Sequence, residues 1–547
     1  MPKLENSAVD RRFWGTITDI GQSHAYYSKP VPMDRILTPD ASLDELMADS
    51  QPNNIREDER LVRWIHLPEN NVEWVEILMI KVLETPEAVA NVLRSDLWSN
   101  RVRGAEKTIH ARCLRPVCAD FSRDLATTAR NRNNRTMLVI PYLHWGTNRE
   151  WLKLKNTVHL IQNGDNSLPG NTSMIYECQH RHRKLLKSYL NGDRPLHIRR
   201  TLDQFYYLSL DDKDMEFRDT HQTVSEHFQK NSNRCRPTEN KTGDIDDFPI
   251  LMVDQLCCGF WVMVSTVITS FPHKWSNTEG FDPYNMTEIL AAVERRLVTK
   301  EWPIAVESGQ ILAELIANEC SGIMFDIAKY RDRWLQVREI YENAIGDVAN
   351  KESELFRTFS SSLKTPRNWG ARGVEKERYA IGEEVELLGK IKDIRDELNM
   401  IRTIFQMQKM VLEDSALFKI LQMMVDKRIK ELDNIDQHAS QAHEALKHIL
   451  DLKQKQANAE EAHFLSVQNI ESAKQGQAIM TFTIVTIIFA PLSFLTSFFA
   501  LQIVEFPTLT IGFVLEIIFP ITVFVVIIWV IYRISRERCR FRRKMEY

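Results

Sequence analysis

From Gln475 to Tyr532 the chain contains no Lys and no Arg, although the whole sequence holds 70 of them. Two long apolar runs fill that window. The first, 478–501, is uncharged throughout, and the second, 510–532, carries a single charge, Glu516. About 20 helical residues at 1.5 Å each cross the hydrocarbon core of a bilayer, so both runs are long enough to span one. A buried core hairpin is the soluble alternative, but two such runs in succession are hard to cover. The connection, 502–509, is short, and its only charge is Glu505. Beyond the second run come Arg533, Arg536, Arg538, Arg540, Arg542, Arg543 and Lys544. The positive-inside rule puts that end in the cytosol, and two spans put the N-terminus there too. The expectation is an integral protein of the plasma membrane or an organelle membrane.

The bulk composition hides this segregation. Net charge is −4, charged residues make up 26%, and mean hydropathy is −0.31. Such values exclude a disordered or collagen-like chain and argue against a nucleic-acid partner. The first fourteen residues are polar and predict no signal peptide. None of the eight cysteines forms a CxxC pair, as expected of free thiols in a reducing compartment. No phosphate-binding Gly-rich loop and no His-Glu-x-x-His occurs, so neither an enzyme nor a resident cofactor is expected. Cys178, His180 and His182 are close in sequence, but their spacing does not bring all three to one helical face, and a surface cluster is the simpler reading.

The organisation predicted is an α/β cytosolic domain, a long helical stalk and two C-terminal transmembrane helices, predominantly α overall. Residues 1–60 are polar and expected to be poorly ordered. Residues 61–282 alternate short apolar runs with helical patterns; Leu138-Val139-Ile140 and 262–270 read as strands. Residues 283–375 form a helical segment ended by a breaker at 366–373. Residues 376–477 comprise a heptad helix and a stalk helix. Leu387, Ile391, Ile394, Leu398, Ile401, Phe405, Gln408 and Leu412 repeat at 4-3 spacing, a seam with one polar member. An intramolecular helix pair is preferred to a free-standing coiled coil. A break is expected near 434–438, followed by an uninterrupted helix into transmembrane helix 1 (478–501). A short extracytosolic loop (502–509), transmembrane helix 2 (510–532) and a basic cytosolic tail (533–547) complete the chain.

The stretch Val485-Thr486-Ile487-Ile488-Phe489-Ala490-Pro491-Leu492-Ser493-Phe494-Leu495-Thr496-Ser497-Phe498-Phe499 resembles the end of the first span of CorA-type magnesium transporters. Leu450-Asp451-Leu452-Lys453-Gln454-Lys455-Gln456-Ala457-Asn458 and Ile391-Lys392-Asp393-Ile394-Arg395-Asp396-Glu397-Leu398-Asn399 resemble the stalk of that family's large fungal branch. Arg199 to Tyr207, Met252 to Leu256 and Thr266 to Pro272 are similar to the same proteins. The resemblance implies a homopentamer with a funnel-shaped cytosolic domain and a pore lined by the first span. It implies passage of divalent cations, chiefly Mg²⁺, with Mg²⁺ also a possible cytosolic regulator; a zinc-transporting branch exists as well. Where the family has Gly-Met-Asn at the pore mouth, this chain has Ala500, Leu501 and Gln502. Gln502 keeps a carboxamide that can bond the water shell of hydrated Mg²⁺, on a side chain one methylene longer. The altered mouth leaves open a non-conducting, membrane-anchored scaffold or sensor.

Helical spacing selects a pore face without the family. Gly476, Ile479, Phe482, Thr486, Ala490, Ser493 and Ser497 form the smaller, more polar stripe of an otherwise bulky helix, expected to face a symmetric bundle's axis. The hydroxyls would contact ion-bound water, and Ile479 and Phe482 would form a hydrophobic constriction. The plainer reading is that small residues pack helices and hydroxyls bond back to carbonyls. Glu505 and Glu516 are candidates for attracting cations to the mouth. Asp393, Asp396 and Glu397 are candidates for regulatory Mg²⁺, with a solvated helix face the simpler account.

Overall fold

The computed structural model describes residues 13–22, 26–39, 41–47, 59–83, 98–100, 112–120, 135–162, 197–207, 217–231, 248–261, 265–272, 289–299, 306–322, 336–364, 380–413, 417–500 and 511–545, with isolated positions between them. The strands are β1 (Trp14–Gly21), β2 (Tyr26–Pro32), β3 (Arg60–Leu67), β4 (Trp98–Asn100), β5 (Arg112–Leu114), β6 (Val117–Asp120), β7 (Arg135–Thr147), β8 (Arg200–Thr201), β9 (Pro249–Trp261) and β10 (Thr266–Ser270). The helices are α1 (Met33–Leu37), α2 (Leu43–Met47), α3 (Val72–Leu83), α4 (Asn148–Gln162), α5 (Leu202–Tyr206), α6 (Thr223–Lys230), α7 (Ile289–Thr299), α8 (Gly309–Gly322), α9 (Val337–Lys364), α10 (Gly382–Leu412), α11 (Lys419–Ala500) and α12 (Ile511–Met545). The chain divides into two units: 1–368 with 380–449, and 369–379 with 450–547.

The first unit is built on a mixed sheet of order β2-β1-β3-β10-β9-β7-β6, with β8 on β9; β10 and β3 are parallel and the other neighbours antiparallel. Strand alternation sends residues to both faces, and both are covered. Leu138, Ile140 and Tyr142 of β7 join a core shared with α8, α9, α10 and α11. Met137 and Val139 join Ile17, Ile65, Trp74 and Leu78 on the opposite side. The predicted strand at 138–140 lies within β7. Of the predicted 262–270 strand, Thr266–Ser270 forms β10; Ser265 turns with φ 46°, and 262–264 lie outside the described residues.

Two expectations need correction. Residues 1–60 are not loosely ordered throughout: from Phe13 they supply β1, β2, α1 and α2, with Ile17, Ile36 and Leu37 fully buried. The polar look of the segment misled. Asp19 on β1 is buried against Arg63 of β3 in a two-bond fork of 2.7 and 2.8 Å, and Arg60 and Arg63 both reach Asp44 of α2. Prolines 30 and 32 sit on the edge strand, where no ladder donor is lost. The second correction concerns the helix break. There is none at 434–438; α10 ends at Leu412 and α11 begins at Lys419. Across that gap the Ser415 amide bonds Leu412 O, and the Glu314 carboxylate on α8 accepts from the amides of Ile420 and Leu421, at 2.7 and 3.3 Å. A negative side chain from a distant helix thus serves the orphan donors that start α11.

All eight seam residues of α10 are buried, none more than 7% exposed. The seam packs within the chain, on α9 and β7 and beside α11, as an intramolecular helix pair. The segment 283–375 contributes α7, α8 and α9 to the same compact unit rather than forming a separate module.

The second unit holds the C-terminal part of α11 and all of α12. Each contains a stretch long and apolar enough to cross a membrane, and almost no residue of those stretches is buried. Water would penalise so large an apolar surface, whereas lipid would not.

Candidate functional site

The predicted pore stripe lies on one face of α11. Gly476, Ile479, Phe482, Thr486, Ala490, Ser493 and Ser497 are all exposed, Ile479 by 67% and Phe482 by 75%. The partly covered positions of the same stretch are Ile484, Ile487, Ile488, Pro491, Leu492 and Leu495. At 100° per residue these two sets lie on opposite sides of the helix. Partial cover therefore falls on the Ile, Leu and Pro side of the span, while the hydroxyl-bearing stripe is left exposed together with the bulky Phe489, Phe494 and Phe498. On α12 the buried Ile518 and the partly covered Val514, Ile517, Thr522, Val525, Val526 and Trp529 likewise trace one face.

The Thr486 hydroxyl donates to the Phe482 carbonyl at 2.8 Å, the back-bonding expected of a membrane Thr. This leaves its oxygen lone pairs as acceptors. Water bound to a cation points its hydrogens outward, so acceptors are what a hydrated ion requires of its lining. Pro491 has no amide hydrogen to give the Ile487 carbonyl, one turn from that hydroxyl. Ala500 is the last residue of α11; Leu501, Gln502 and Glu505 lie outside the described residues. Glu516 sits exposed in the second turn of α12.

In the first unit, α10 and α11 run antiparallel and are clamped by a charge ladder. Arg395 meets Asp436 at 2.9 Å, Arg402 meets Asp433 at 2.7 Å, and Lys409 meets Asp426 at 2.8 Å. The three cations are one heptad apart, so they repeat on the same flank of the seam. Partly exposed pairs of this kind add little stability singly, but together they define one register.

The seam's polar member has a specific role. Gln408 donates from Nε2 to the Pro141 carbonyl of β7 at 2.7 Å and accepts from Ser321 Oγ of α8 at 2.6 Å. Arg428 of α11 donates to the same Ser321 oxygen at 2.9 Å. This chain of bonds links the central sheet to the start of the span-bearing helix. Gly322 makes room for it, since a Cβ there would lie 2.0 Å from Arg428 Nη2.

The acidic candidates separate. Asp393 is exposed and Asp396 partly so, but Glu397 is buried, which corrects the solvated-face reading for that residue. Its carboxylate accepts from the Thr223 amide at 2.9 Å, where α6 begins, and from the Tyr341 hydroxyl of α9. Burial pushes the Glu397 carboxyl up to about 8; the Tyr341 and Thr223 bonds pull it down, and the Asp203 charge adds to the rise. A carboxyl raised in the folded state holds a proton that the unfolded chain has lost. The stability it contributes is complete below its ordinary value near 4.5 and is lost as pH rises through about 8. Glu397→Gln, which keeps an acceptor and a donor in place, is expected to flatten the decline in melting temperature between pH 5 and 8. An unchanged slope would show that other groups set it. Among the described residues no group of three His, Cys, Asp or Glu is placed to hold a metal ion, and Cys178, His180 and His182 lie outside them.

Sequence reasoning missed the pairing of two segments it had singled out. β8 pairs with β9 at Arg200–Val253 and Thr201–Met252, which brings Arg199 Nε to 2.8 Å from Asp254 Oδ2. Thr201 and Gln204 then cap α5 reciprocally, and Asp203 takes a 2.6 Å bond from Arg218.

Residues 371–533 match the family model described as "CorA-like Mg2+ transporter protein". The match begins before α10 and ends where the second apolar run ends. No curated protein matches the chain. Among solved structures, the "structure of the full-length CmaX protein" aligns at 11% identity over 96% of this chain and 99% of that one, with a TM-score of 0.24, too low to establish a common fold. The C-terminal part of this chain, from the seam helix through both apolar helices, is thus similar to a family of metal-ion transporters rather than enzymes.

Proposed function

We propose that this protein is a CorA-like channel that passes divalent cations, Mg²⁺ foremost, down their electrochemical gradient. The observation that carries the reading is the exposed face of α11: within a stretch matching the family model, the hydroxyl-bearing stripe lies on the side left uncovered, beside the exposed Phe489, Phe494 and Phe498. Such a face needs copies of itself. From Glu461 to Met480 every side chain of α11 is exposed, including Phe464, Val467 and Ile470. An isolated helix with that exposure is marginal, so neighbouring subunits are the natural cover, and a homopentamer with this helix innermost supplies them. Both termini would face the cytosol, with the mouth at Ala500, Leu501 and Gln502 and the acids Glu505 and Glu516 beside it. Thr486, Ser493 and Ser497 would pass the hydrated ion by accepting bonds from its water, and Ile479 and Phe482 would form the apolar gate.

The altered mouth favours one rival, a non-conducting scaffold or sensor. Mg²⁺ flux into proteoliposomes separates the two. Wild-type protein is expected to conduct, and the Ala500→Gly/Leu501→Met/Gln502→Asn triple variant to conduct at least as well. A silent wild type with a conducting triple variant would assign the native protein to the scaffold class.

A further inference from the structure

The segment from Phe217 to Ser225, which leads into α6, is gripped by three neighbours. Gln222 has no exposure and clamps the Leu251 backbone of β9, accepting from its amide at 2.7 Å and donating to its carbonyl at 3.3 Å. Ser225 donates to the Pro249 carbonyl at 3.1 Å, and the Thr223 amide donates to Glu397 of α10 at 2.9 Å. Arg218 donates to Asp203 of α5 at 2.6 Å, with its guanidinium 4.8 Å from the centre of the Tyr207 ring. One turn further along, Glu226 of α6 meets Lys390 of α10 at 3.0 Å. Within this bonded segment stands an acid that the bonds do not serve. Asp219 is 2% exposed, and among the described residues neither of its carboxyl oxygens has a hydrogen-bond partner of ordinary geometry. Around it lie Thr201, whose hydroxyl oxygen already accepts the capping amide of Gln204, together with Asp203, Lys155 of α4 and Arg218. Arg218 is committed to Asp203, and that pair in turn feels the charges of Asp396 and Asp393 of α10.

We propose that Asp219 is a proton-operated latch: protonated, it lets this segment seat against β9, α5 and α10, and ionised, it drives the segment and α6 off them. A neutral carboxyl is tolerated in such a site, whereas a buried carboxylate without donors is not. Burial pushes the Asp219 carboxyl up to about 7; the Thr201 hydroxyl pulls it down, the Asp203 charge adds to the rise, and Lys155 and Arg218 offset part of it. Once the segment opens, the carboxyl returns to its ordinary value of 3.8. The stability of the closed form is therefore complete below 3.8 and is lost as pH rises through about 7. Between those values one proton is at stake, so each pH unit favours opening by about tenfold. The latch lies wholly within the first unit and is independent of ion passage through the second.

Hydrogen exchange of the full-length protein in detergent micelles, read by mass spectrometry and corrected for the intrinsic pH dependence of exchange, tests the latch. In wild type, protection of the α6 amides is expected to fall by about tenfold or more per unit from about pH 5 to 7. Asp219→Asn is expected to remove about one tenfold step per unit, and Glu397→Gln alone to leave that step in place. Asp219→Thr, also neutral and of similar size, repeats the comparison if the Asn variant does not fold. Wild-type protection that does not change with pH overturns the proposal without any variant, and so does an equal slope in wild type and either Asp219 variant. A slope shared in full by the amides of β1, three strands from β9 in the sheet, would be opening of the whole unit and would overturn the latch as well.

Discussion

Ala490→Phe is expected to lower divalent-cation flux at least about tenfold, the effect of a barrier raised by roughly 1.4 kcal/mol. Ala490 lies on the exposed side of α11, one turn beyond Thr486 and just short of Ser493, and immediately before the helix-interior Pro491. In a symmetric bundle with that side inward, one substitution places a ring of aromatic side chains across the lumen. Apolar rings cannot accept bonds from an ion's water shell, and a narrow apolar passage dewets. Leu492→Phe is the control. It also introduces a ring, but on the partly covered side, and it is expected to change flux less than twofold or so provided assembly is intact. Flux in proteoliposomes and size-exclusion chromatography of each variant give the readout. Wild-type flux through an assembled Ala490→Phe protein would remove this face from the pore, and equal loss in both variants would point to general disruption.

Arg199→Ala is expected to cost the first unit about 3–5 kcal/mol, because it leaves a buried carboxylate without its cation. The Asp254 side chain has no exposure, and Arg199 Nε is its ionic partner at 2.8 Å. The Gln255 amide, at 3.0 Å, and Asn70 Nδ2, at 3.4 Å, are left to serve the charge alone. Against a typical total of roughly 5–15 kcal/mol, such a loss is a large fraction. Fluorescence of the buried Trp64, Trp74 and Trp145 reports the melting of this unit. Replacing both partners, as Arg199→Met/Asp254→Leu, should recover most of the loss, since a buried pair and a packed apolar pair are often of similar stability. A single variant within about 1 kcal/mol of wild type would place the pair among the weak surface ion pairs instead.

The packing of α10 and the start of α11 within the first unit rests on polar contacts that periodicity alone does not distinguish. Gln408 was legible as a polar interruption of the α10 seam, but its bonds to Pro141 and Ser321 depend on β7 and α8. Glu397 and Asp396 are neighbours in sequence and equally acidic. One is buried against Tyr341 and the other is partly exposed, because only Glu397 falls on the side of α10 that meets α6 and α9. The start of α11 was misplaced for the same reason: Glu314, which serves its first amides, is more than a hundred residues away in sequence.

What the sequence determined by itself follows from local periodicity and segregated charge. The two apolar runs, the basic tail, the heptad seam and the core of β7 are each a repeat or a run readable within about twenty residues, because burial on one side imposes a period on the chain. Tertiary structure decided what depends on distant partners. It ordered the polar segment from Phe13 onward by giving Asp19 and Asp44 the guanidiniums of Arg60 and Arg63. It buried Asp254 and Glu397, selected which side of α11 stays uncovered, and carried the basic tail onward as helix. A charged residue looks the same in sequence whether water or a buried partner satisfies it, and only the packed fold shows which does.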